Sequence, residues 1–160
     1  MASYTVGDAC RTRRPVINEI RIRLPALSAN ESVARAVVAA FCAAADPTAT
    51  ELADIKCAVS EAVTNCIVHA YREGTGDILL TARLLQDRLL CIEIRDRGCG
   101  IPDLGQAREP LYTTDAAGER SGMGFTVMES FCDGVRGSST VGKGTTVTLC
   151  KRLRGRSTRT

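Results

Sequence analysis

Apolar and charged side chains alternate over residues 19–24, where isoleucine and leucine take every second position. This period of two predicts a half-buried β-strand. Apolar residues then recur at helical spacing, and we expect Ser28 or Asn30 to cap a helix that ends near Ala44. A second helix is predicted over about residues 50–71. The ordered part of the chain therefore begins with one strand and two helices.

The second half of the chain contains alternating segments that predict two β-hairpins. Between the hairpins, residues 97–122 contain five glycines and two prolines and show little periodicity, so they are predicted to form a long loop. Loops of that length inside a compact domain are usually functional or disordered. A short helix is expected over about residues 124–132, after the loop. The four predicted strands are about 77–85, 89–95, 134–140 and 145–151.

Strands and helices do not alternate regularly in this order, which argues against a doubly wound parallel sheet. The pattern predicts an α+β fold, a two-layer sandwich in which helices cover one face of a mixed, mainly antiparallel sheet. The 160 residues, of which 44% are hydrophobic, suit one compact domain over residues 18–151. Residues 1–17 lack periodicity and are expected to be a basic, flexible N-terminal extension, and residues 152–160 a basic C-terminal tail.

The net charge of +3 comes from the two ends of the chain. Residues 15–150 hold 13 bases against 17 acids, a net charge of −4. We therefore expect no basic face that binds a specific nucleic acid. The longest apolar run is too short for a transmembrane helix or a secretory signal. The protein is expected to be cytoplasmic and not attached to a membrane.

The eight cysteines are scattered, contain no C-x-x-C pair, and are accompanied by one histidine, His69. Metal ligands need close spacing, so a zinc site is not expected. The pattern favours small buried thiols. Cys99, which lies between two glycines, is the one thiol that could be exposed near a site.

Glu61 and Asn65 lie four residues apart in the second predicted helix, on the side opposite its apolar residues. Helix neighbours at this spacing point the same way, so the two side chains can address one ligand. The Asn oxygen suits Mg²⁺ that already holds phosphate oxygens and water, and the Glu carboxylate can orient or deprotonate a hydroxyl. Two solvated surface side chains are the alternative.

Asp96 ends a predicted strand and is followed by Gly98 and Gly100, which allow the backbone to turn sharply and approach a flat ligand. A buried carboxylate at this place can accept a hydrogen bond from an exocyclic amine such as that of adenine. An ordinary turn at a strand end is the alternative.

Gly122 and Gly124 stand at the entrance of a predicted helix, where backbone N–H groups can bind phosphate. Arg120, at the end of the long loop, is placed to pair with phosphate charge. Taken alone, these residues also suit an ordinary helix start and a surface arginine. The three motifs together, in this order, point to ATP.

These motifs, followed by Gly144-Thr145, resemble in their order the Bergerat ATP-binding fold that gyrase and histidine kinases share. Longer segments resemble the anti-sigma factor serine kinases of that superfamily, in particular those of the sporulation sigma-F type. The similarity extends over about residues 18–151. Its segments are Ser60-Glu-Ala-Val-Thr-Asn65, Pro110-Leu-Tyr-Thr-Thr114 and Glu119-Arg-Ser-Gly-Met-Gly-Phe-Thr-Val-Met-Glu129.

The resemblance implies a role for each matching residue. Asn65 would ligate Mg²⁺, and Glu61 would be the general base towards the hydroxyl of a protein serine. Residues 104–121 would form a lid over ATP or ADP, and Asp96 would bind the adenine amine. The ATP-binding residues would be Asn65, Asp96, Gly98, Gly100, Arg120, Ser121, Gly122, Gly124 and Thr145.

The resemblance also implies partners. One is a sigma factor of the sporulation sigma-F type, which the protein would inhibit, and the other is an anti-anti-sigma factor, which it would phosphorylate. A homodimer is implied as well, through the exposed edge of the first strand. Glu31 and Arg35 match the helix to which the family's partners dock, although their four-residue spacing also suits a simple intrahelical ion pair.

Two other functions remain open at this point. The chain could be a general-stress type of anti-sigma kinase, or a nucleotide-gated anti-sigma binding module without appreciable kinase activity. A sensor histidine kinase is disfavoured, because it would need a phosphoacceptor histidine on a separate helix. The only histidine, His69, lies within the predicted ATP-site helix itself.

Overall fold

The computed structural model describes residues 1–11, 13–72, 74–109 and 124–155. Its strands are β1 (Ala2–Val6), β2 (Val16–Pro25), β3 (Asp77–Leu85), β4 (Leu89–Asp96), β5 (Gly134–Thr140) and β6 (Gly144–Arg152). These six strands form one sheet in the order β1-β5-β6-β4-β3-β2. The predicted α+β fold is confirmed, and the sheet, predicted as mixed and mainly antiparallel, is antiparallel at all of these pairings.

The α-helices of the described ranges are α1 (Ala29–Ala43), α2 (Ala49–Asn65), α3 (Leu104–Ala107) and α4 (Gly124–Phe131). The first two form a helical hairpin between β2 and β3. Such a hairpin returns the chain to the end of the sheet where β2 finished, so β3 runs antiparallel to β2. No described helix is both long enough and apolar enough to cross a membrane.

One apolar core lies between the helices and the sheet. It includes Val38 of α1, Val59 of α2 and Met128 of α4, which pack against strand residues such as Ile92 and Leu149. All five are at least 97% buried. The predicted two-layer arrangement is therefore confirmed, and the four described α-helices contribute to the core on the same face of the sheet.

The N-terminus differs from its prediction as a flexible extension. Ala2, Tyr4 and Val6 alternate with polar residues and form the edge strand β1, which pairs with β5. An alternating pattern of five residues is too short to identify a strand by itself. Its partner strand, β5, lies far along the chain and places Gly137 opposite Tyr4. Local periodicity carries no information about a pairing between such distant segments.

The segment between β1 and β2 crosses the second face of the sheet. Because β1 and β2 lie at opposite edges, residues 7–11 and 13–15, which we call the crossing segment, connect one edge to the other. Its Ala9 and Cys10 pack against a small apolar cluster of Leu85, Leu89 and Cys150. The cluster residues alternate along their strands with residues of the main core, which places them on the face away from the helices.

Candidate functional site

Asp96, the last residue of β4, has its carboxylate buried and hydrogen-bonded, with 5% of the residue exposed. Its Oδ1 accepts hydrogen bonds from the backbone N–H of Gly98 at 2.9 Å and of Thr145 at 3.1 Å. The Cys66 thiol donates to Oδ2 at 3.5 Å. Three separate parts of the chain therefore orient one carboxylate.

Burial raises the pKa of the Asp96 carboxyl, and the hydrogen bonds from Gly98, Thr145 and Cys66 partly oppose that effect. An ionised carboxylate has about four acceptor positions. Three donors leave capacity on Oδ2, the oxygen that receives only the thiol. A donor group from a ligand, such as an exocyclic amine, fits that remaining position.

The glycines after Asp96 are required by the protein's own packing. A Cβ added to Gly98 would lie 2.2 Å from the carbonyl oxygen of Ala70. Gly100 has a φ of +76°, and a Cβ there would lie 2.4 Å from the carbonyl oxygen of Thr140. Any side chain at either position would collide with backbone. The two glycines therefore hold the loop tightly against the end of α2 and the β5–β6 turn.

The end of α2 has a different geometry from the continuous helix that the sequence predicts. The regular α-helix stops at Asn65 and continues as a π-helical turn over Cys66–Ala70. The Ala70 carbonyl accepts a hydrogen bond from the backbone N–H of Cys99 at 2.9 Å. This turn therefore binds the loop that follows Asp96, and π-helical turns of this kind are frequent at functional sites.

Glu61 and Asn65 project from α2 towards the beginning of α4. A Cβ added to Gly124, the first residue of α4, would lie 3.3 Å from Glu61 Oε2 and 3.3 Å from Asn65 Nδ2. Gly124 thus leaves room in front of both side chains. Because Cys66 follows Asn65 directly and also contacts Asp96, the carboxylate of Asp96 adjoins the same region. The structure thus brings Glu61, Asn65 and Gly124 together, and Cys66 connects this group to Asp96.

Thr145 is buried next to Asp96 and is connected to the loop through Ser139. The hydroxyls of Thr145 and Ser139 lie 2.8 Å apart, and Ser139 Oγ accepts a hydrogen bond from the backbone N–H of Ile101 at 2.7 Å. Ser139 and Cys66 are site residues that the sequence reasoning missed. The position of Cys66 beside Asn65 was a usable signal, whereas nothing in the sequence around Ser139 indicated its contact.

Comparison with known proteins identifies the family. Residues 24–151 match the family model of the histidine kinase-like ATPase domain. The chain is 52% identical over 137 residues to the anti-sigma F factor of Bacillus licheniformis, a match that covers 85% of this chain and 93% of that protein. It is 50% identical over 136 residues to the anti-sigma F factor of Bacillus subtilis (strain 168), with the same two coverages. The chain belongs to the anti-sigma F factor family.

Solved structures support the fold of this anti-sigma F family member. The RsbU and RsbW domains of a Mycobacterium tuberculosis protein superpose with a TM-score of 0.62 at 24% identity, covering 85% of this chain and 32% of that chain. The histidine kinase domain of a blue-light activated kinase from Erythrobacter litoralis gives a TM-score of 0.54 at 17% identity, covering 77% of this chain and 61% of that chain. These two likenesses show the fold alone. Nucleotide binding is implied by the match to the family model of the ATPase domain.

Some predicted site residues of this family member lie outside the described residues. Arg120, Ser121 and Gly122 fall within residues 110–123, which the structure does not describe. Within the described ranges, no group of three or more His, Cys, Asp or Glu side chains is arranged to hold a metal ion. The assignment of Asn65 to Mg²⁺ therefore stays a prediction.

Glu31 and Arg35 of α1 form the intrahelical ion pair that their spacing allowed, with 3.6 Å between Arg35 Nη1 and Glu31 Oε1. Glu31 also accepts a hydrogen bond from the hydroxyl of Ser60, the residue before Glu61. The Arg35 side chain remains 41% exposed. Glu31 is thus engaged within the protein, and Arg35 presents its charge at the surface.

Proposed function

We propose that this anti-sigma F family member inhibits a sigma factor of the sporulation type and phosphorylates a serine of an anti-anti-sigma partner, using ATP and Mg²⁺. The sigma partner is supported by the relatives, which are named anti-sigma F factors. The kinase activity is supported by one observation above all. Glu61 and Asn65 both face the first residue of α4, and Cys66, the residue after Asn65, donates to the buried carboxylate of Asp96.

The nucleotide would be held from both ends of this site. The free acceptor position on Asp96 Oδ2 would take the adenine amine, next to Thr145 and the loop of Gly98 and Gly100. The first N–H groups of α4, from Gly124 onward, have no partner within the helix and would face phosphate oxygens. Arg120, Ser121 and Gly122 would complete the phosphate contacts.

Mg²⁺ and the transferred phosphate would lie near Asn65 and Glu61. Bound ATP with Mg²⁺ supplies the phosphoryl group, and its transfer depends mainly on positioning and charge neutralisation. The Asn65 side-chain oxygen would be the metal ligand. Glu61 Oε2 would take the proton of the attacking serine hydroxyl, because it lies in front of α4 and not in the core.

Replacement of the proposed base tests the kinase activity. Glu61→Gln keeps the shape of the side chain and removes its basicity, so we expect nucleotide binding to persist while phosphate transfer falls by about 10²–10⁴-fold. The measurement is transfer from radiolabelled ATP to an anti-anti-sigma protein that copurifies with the chain in the presence of ATP or ADP. Calorimetric titration with ATP measures binding in parallel.

Glu93→Gln is the matched control, because Glu93 lies on β4 on the same side as Cys91, away from the helices. It should leave both readouts unchanged. Normal transfer by Glu61→Gln would remove this residue from the mechanism. If the wild-type chain binds ATP and the sigma factor but transfers no phosphate, the protein is the nucleotide-gated binding module.

Arg35 is the proposed contact for protein partners, since its charge is exposed on α1 beside Glu31. Arg35→Glu should weaken the complex with the sigma factor, the anti-anti-sigma factor or both by about 1 kcal/mol or more, and should not change ATP affinity. Arg95→Glu, an exposed arginine on the other face of the sheet, is the control. Pull-down titrations in which both complexes keep normal affinity would place the partner surface elsewhere.

We further propose a homodimer through the edge strand β2. This strand has one unpaired side in the described sheet, and its Val16 and Ile17 side chains are exposed. Exposed strand edges readily pair with another chain. Sedimentation equilibrium of the full chain that shows only monomer would exclude the dimer.

The protein would act in the cytoplasm, as one domain over residues 18–151.

A further inference from the structure

Three cysteines meet on the face of the sheet opposite the described α-helices. The sulfur of Cys150 lies 2.8 Å from that of Cys10 and 2.7 Å from that of Cys91. Cys91 of β4 and Cys150 of β6 stand opposite each other in the sheet, and Cys10 reaches them from a short 3-10 turn in the crossing segment. We call these three residues the thiol cluster.

The thiol cluster combines a buried centre with two accessible members. Cys150 is 1% exposed and packs with Leu85 and Leu89. Cys10 and Cys91 are partly exposed. A small reagent would therefore meet these two residues before Cys150, which stands beside both of them.

The contacts also favour thiolate formation at the accessible positions. Hydrogen bonding to Cys150 lowers the pKa of Cys10 and of Cys91, against the opposing effect of burial. When either loses its proton, the thiol of Cys150 can donate to it. The positive charge of Arg136 acts in the same direction on Cys10. The thiolate is the reactive form of cysteine.

We propose that the thiol cluster is an oxidation site that takes a peroxide as its reactant and closes a disulfide between Cys10 and Cys150. The Cys10 thiolate attacks one peroxide oxygen, the O–O bond breaks, and the leaving oxygen takes a proton to become water. The resulting sulfenic acid at Cys10 is attacked by the sulfur of Cys150, which forms the S–S bond and releases a second water. Two thiols are oxidised and one peroxide is reduced.

Backbone freedom selects Cys10 over Cys91 as the partner of Cys150. A disulfide requires the sulfurs to approach to about 2.05 Å, closer than either contact in the cluster. Cys91 and Cys150 are both held in the strand ladder between β4 and β6, whereas Cys10 lies in a short turn outside the sheet. The turn can shift to close the bond.

The disulfide would attach the crossing segment covalently to the sheet. Cys10 and Cys150 are separated by 140 positions, and crosslinks that close long segments restrict the unfolded chain most. Cys10 precedes residue 24, where the match to the ATPase family model begins. The disulfide would therefore join the N-terminal part of this chain to the ATPase domain. Its formation does not depend on kinase activity.

Peptide mapping tests the proposed bond directly. Trypsin releases the three cysteines in separate peptides, residues 1–11, 89–95 and 144–151. The full chain is treated with hydrogen peroxide, its remaining thiols are alkylated, and it is digested without reductant. Mass spectrometry should detect peptide 1–11 linked to peptide 144–151, and dithiothreitol should separate them. A main product that links 89–95 to 144–151, or no intramolecular link, would overturn the proposal.

Variants and thermal unfolding provide a second readout. Cys10→Ser should lose the link and lose the rise in melting temperature that peroxide causes in the wild type. Cys91→Ser and Cys57→Ser, the latter an exposed cysteine on α2, should keep both. Circular dichroism confirms that each variant is folded. A peroxide-induced rise in melting temperature that persists in Cys10→Ser would contradict the assignment.

Discussion

At the residue scale, Asp96 has two effects that oppose each other. Its Oδ1 accepts two backbone N–H groups and so secures the loop at Gly98 and the start of β6 at Thr145. Its burial raises the pKa of the carboxyl, which means that the charged form is less favourable in the folded protein than in water. The proposed contact with the adenine amine needs a buried acceptor, and it would account for a carboxylate at this unfavourable position.

Asp96→Asn is expected to weaken nucleotide binding. Asn places an NH₂ group or a neutral oxygen where the carboxylate would accept the adenine amine, and a hydrogen bond to a charged group contributes about 1.5–3 kcal/mol. We therefore expect the dissociation constant for ATP to rise by about ten-fold or more, measured by calorimetric titration. Asp103→Asn, which changes the cap residue of α3, should bind normally.

The same variant should alter the pH dependence of stability. The folded-state pKa of Asp96 is raised above the ordinary value of about 3.9. Between these two pKa values the folded state binds more protons, so the contribution of Asp96 to stability falls as pH rises through that window. The free energy of unfolding of Asp96→Asn, minus that of the wild type, should rise over the window in urea titrations. If this difference in unfolding free energy does not change with pH, the pKa of Asp96 is not raised in the folded protein.

At the element scale, α2 is held at both ends. Its start is a capping box between Thr48 and Glu51, and Glu51 also accepts hydrogen bonds from the backbone N–H groups of Arg154 and Gly155 at 2.6 and 3.4 Å. Its end is the π-helical turn that binds the loop after Asp96. This double attachment keeps the helix that carries Glu61 in a fixed position.

Glu51→Gln is expected to destabilise the fold by about 1–3 kcal/mol, because a carboxylate that accepts several backbone N–H groups is lost. Burial alone would raise the pKa of Glu51, but the N–H donors of Arg154, Thr48 and Gly155 hold it below its ordinary value. The stabilisation is therefore present above about pH 4.3 and is lost as pH falls through the lower folded-state pKa.

Denaturant unfolding of wild type and Glu51→Gln at several pH values measures this effect. Thr48→Ser is the control, since serine caps a helix at least as well as threonine. The two proteins should differ near neutral pH and converge in acid. An equal difference at every pH would show that the carboxylate charge is not involved.

Elements whose signal is local agree well with the sequence prediction. The strands expected over 77–85 and 134–140 have the bounds Asp77–Leu85 and Gly134–Thr140. Alternating apolar residues define the first, and the glycines of the turn at 142–144 mark the end of the second. The short helix α3 was missed inside the predicted long loop, since its four residues, Leu104–Ala107, carry less than two turns of helical pattern.

At the scale of the whole molecule, β1 connects the chain's first residues to the helices that flank residues 110–123. The Tyr4 ring packs edge-on against Phe125 of α4 with 5.7 Å between ring centroids. The Arg108 guanidinium, directly after α3, lies 4.4 Å from the centroid of the same ring. Gly137 of β5 leaves space for the ring, since a Cβ there would lie 2.4 Å from Tyr4 Cε1.

Tyr4→Ala is expected to lower the free energy of unfolding by about 2 kcal/mol, through loss of the ring pair and the cation–π contact. Tyr4→Phe is the matched control. It keeps the ring and removes a buried hydroxyl that has no hydrogen-bond partner among the described residues, so it should be neutral or slightly stabilising. Urea unfolding compares the two. Equal destabilisation by both variants would show that the hydroxyl, not the ring, carries the effect.

The sequence by itself determined the central strands, the helix with Glu61 and Asn65, and the glycine-flanked Asp96, because periodicity and motif spacing are local properties of the chain. Only the tertiary structure decided that β1 joins the sheet, that Cys66 and Ser139 support the site, and that Cys10, Cys91 and Cys150 meet. Each of these features is a contact between residues far apart in the chain. Such contacts depend on strand order and on the path of the crossing segment, which no local pattern encodes.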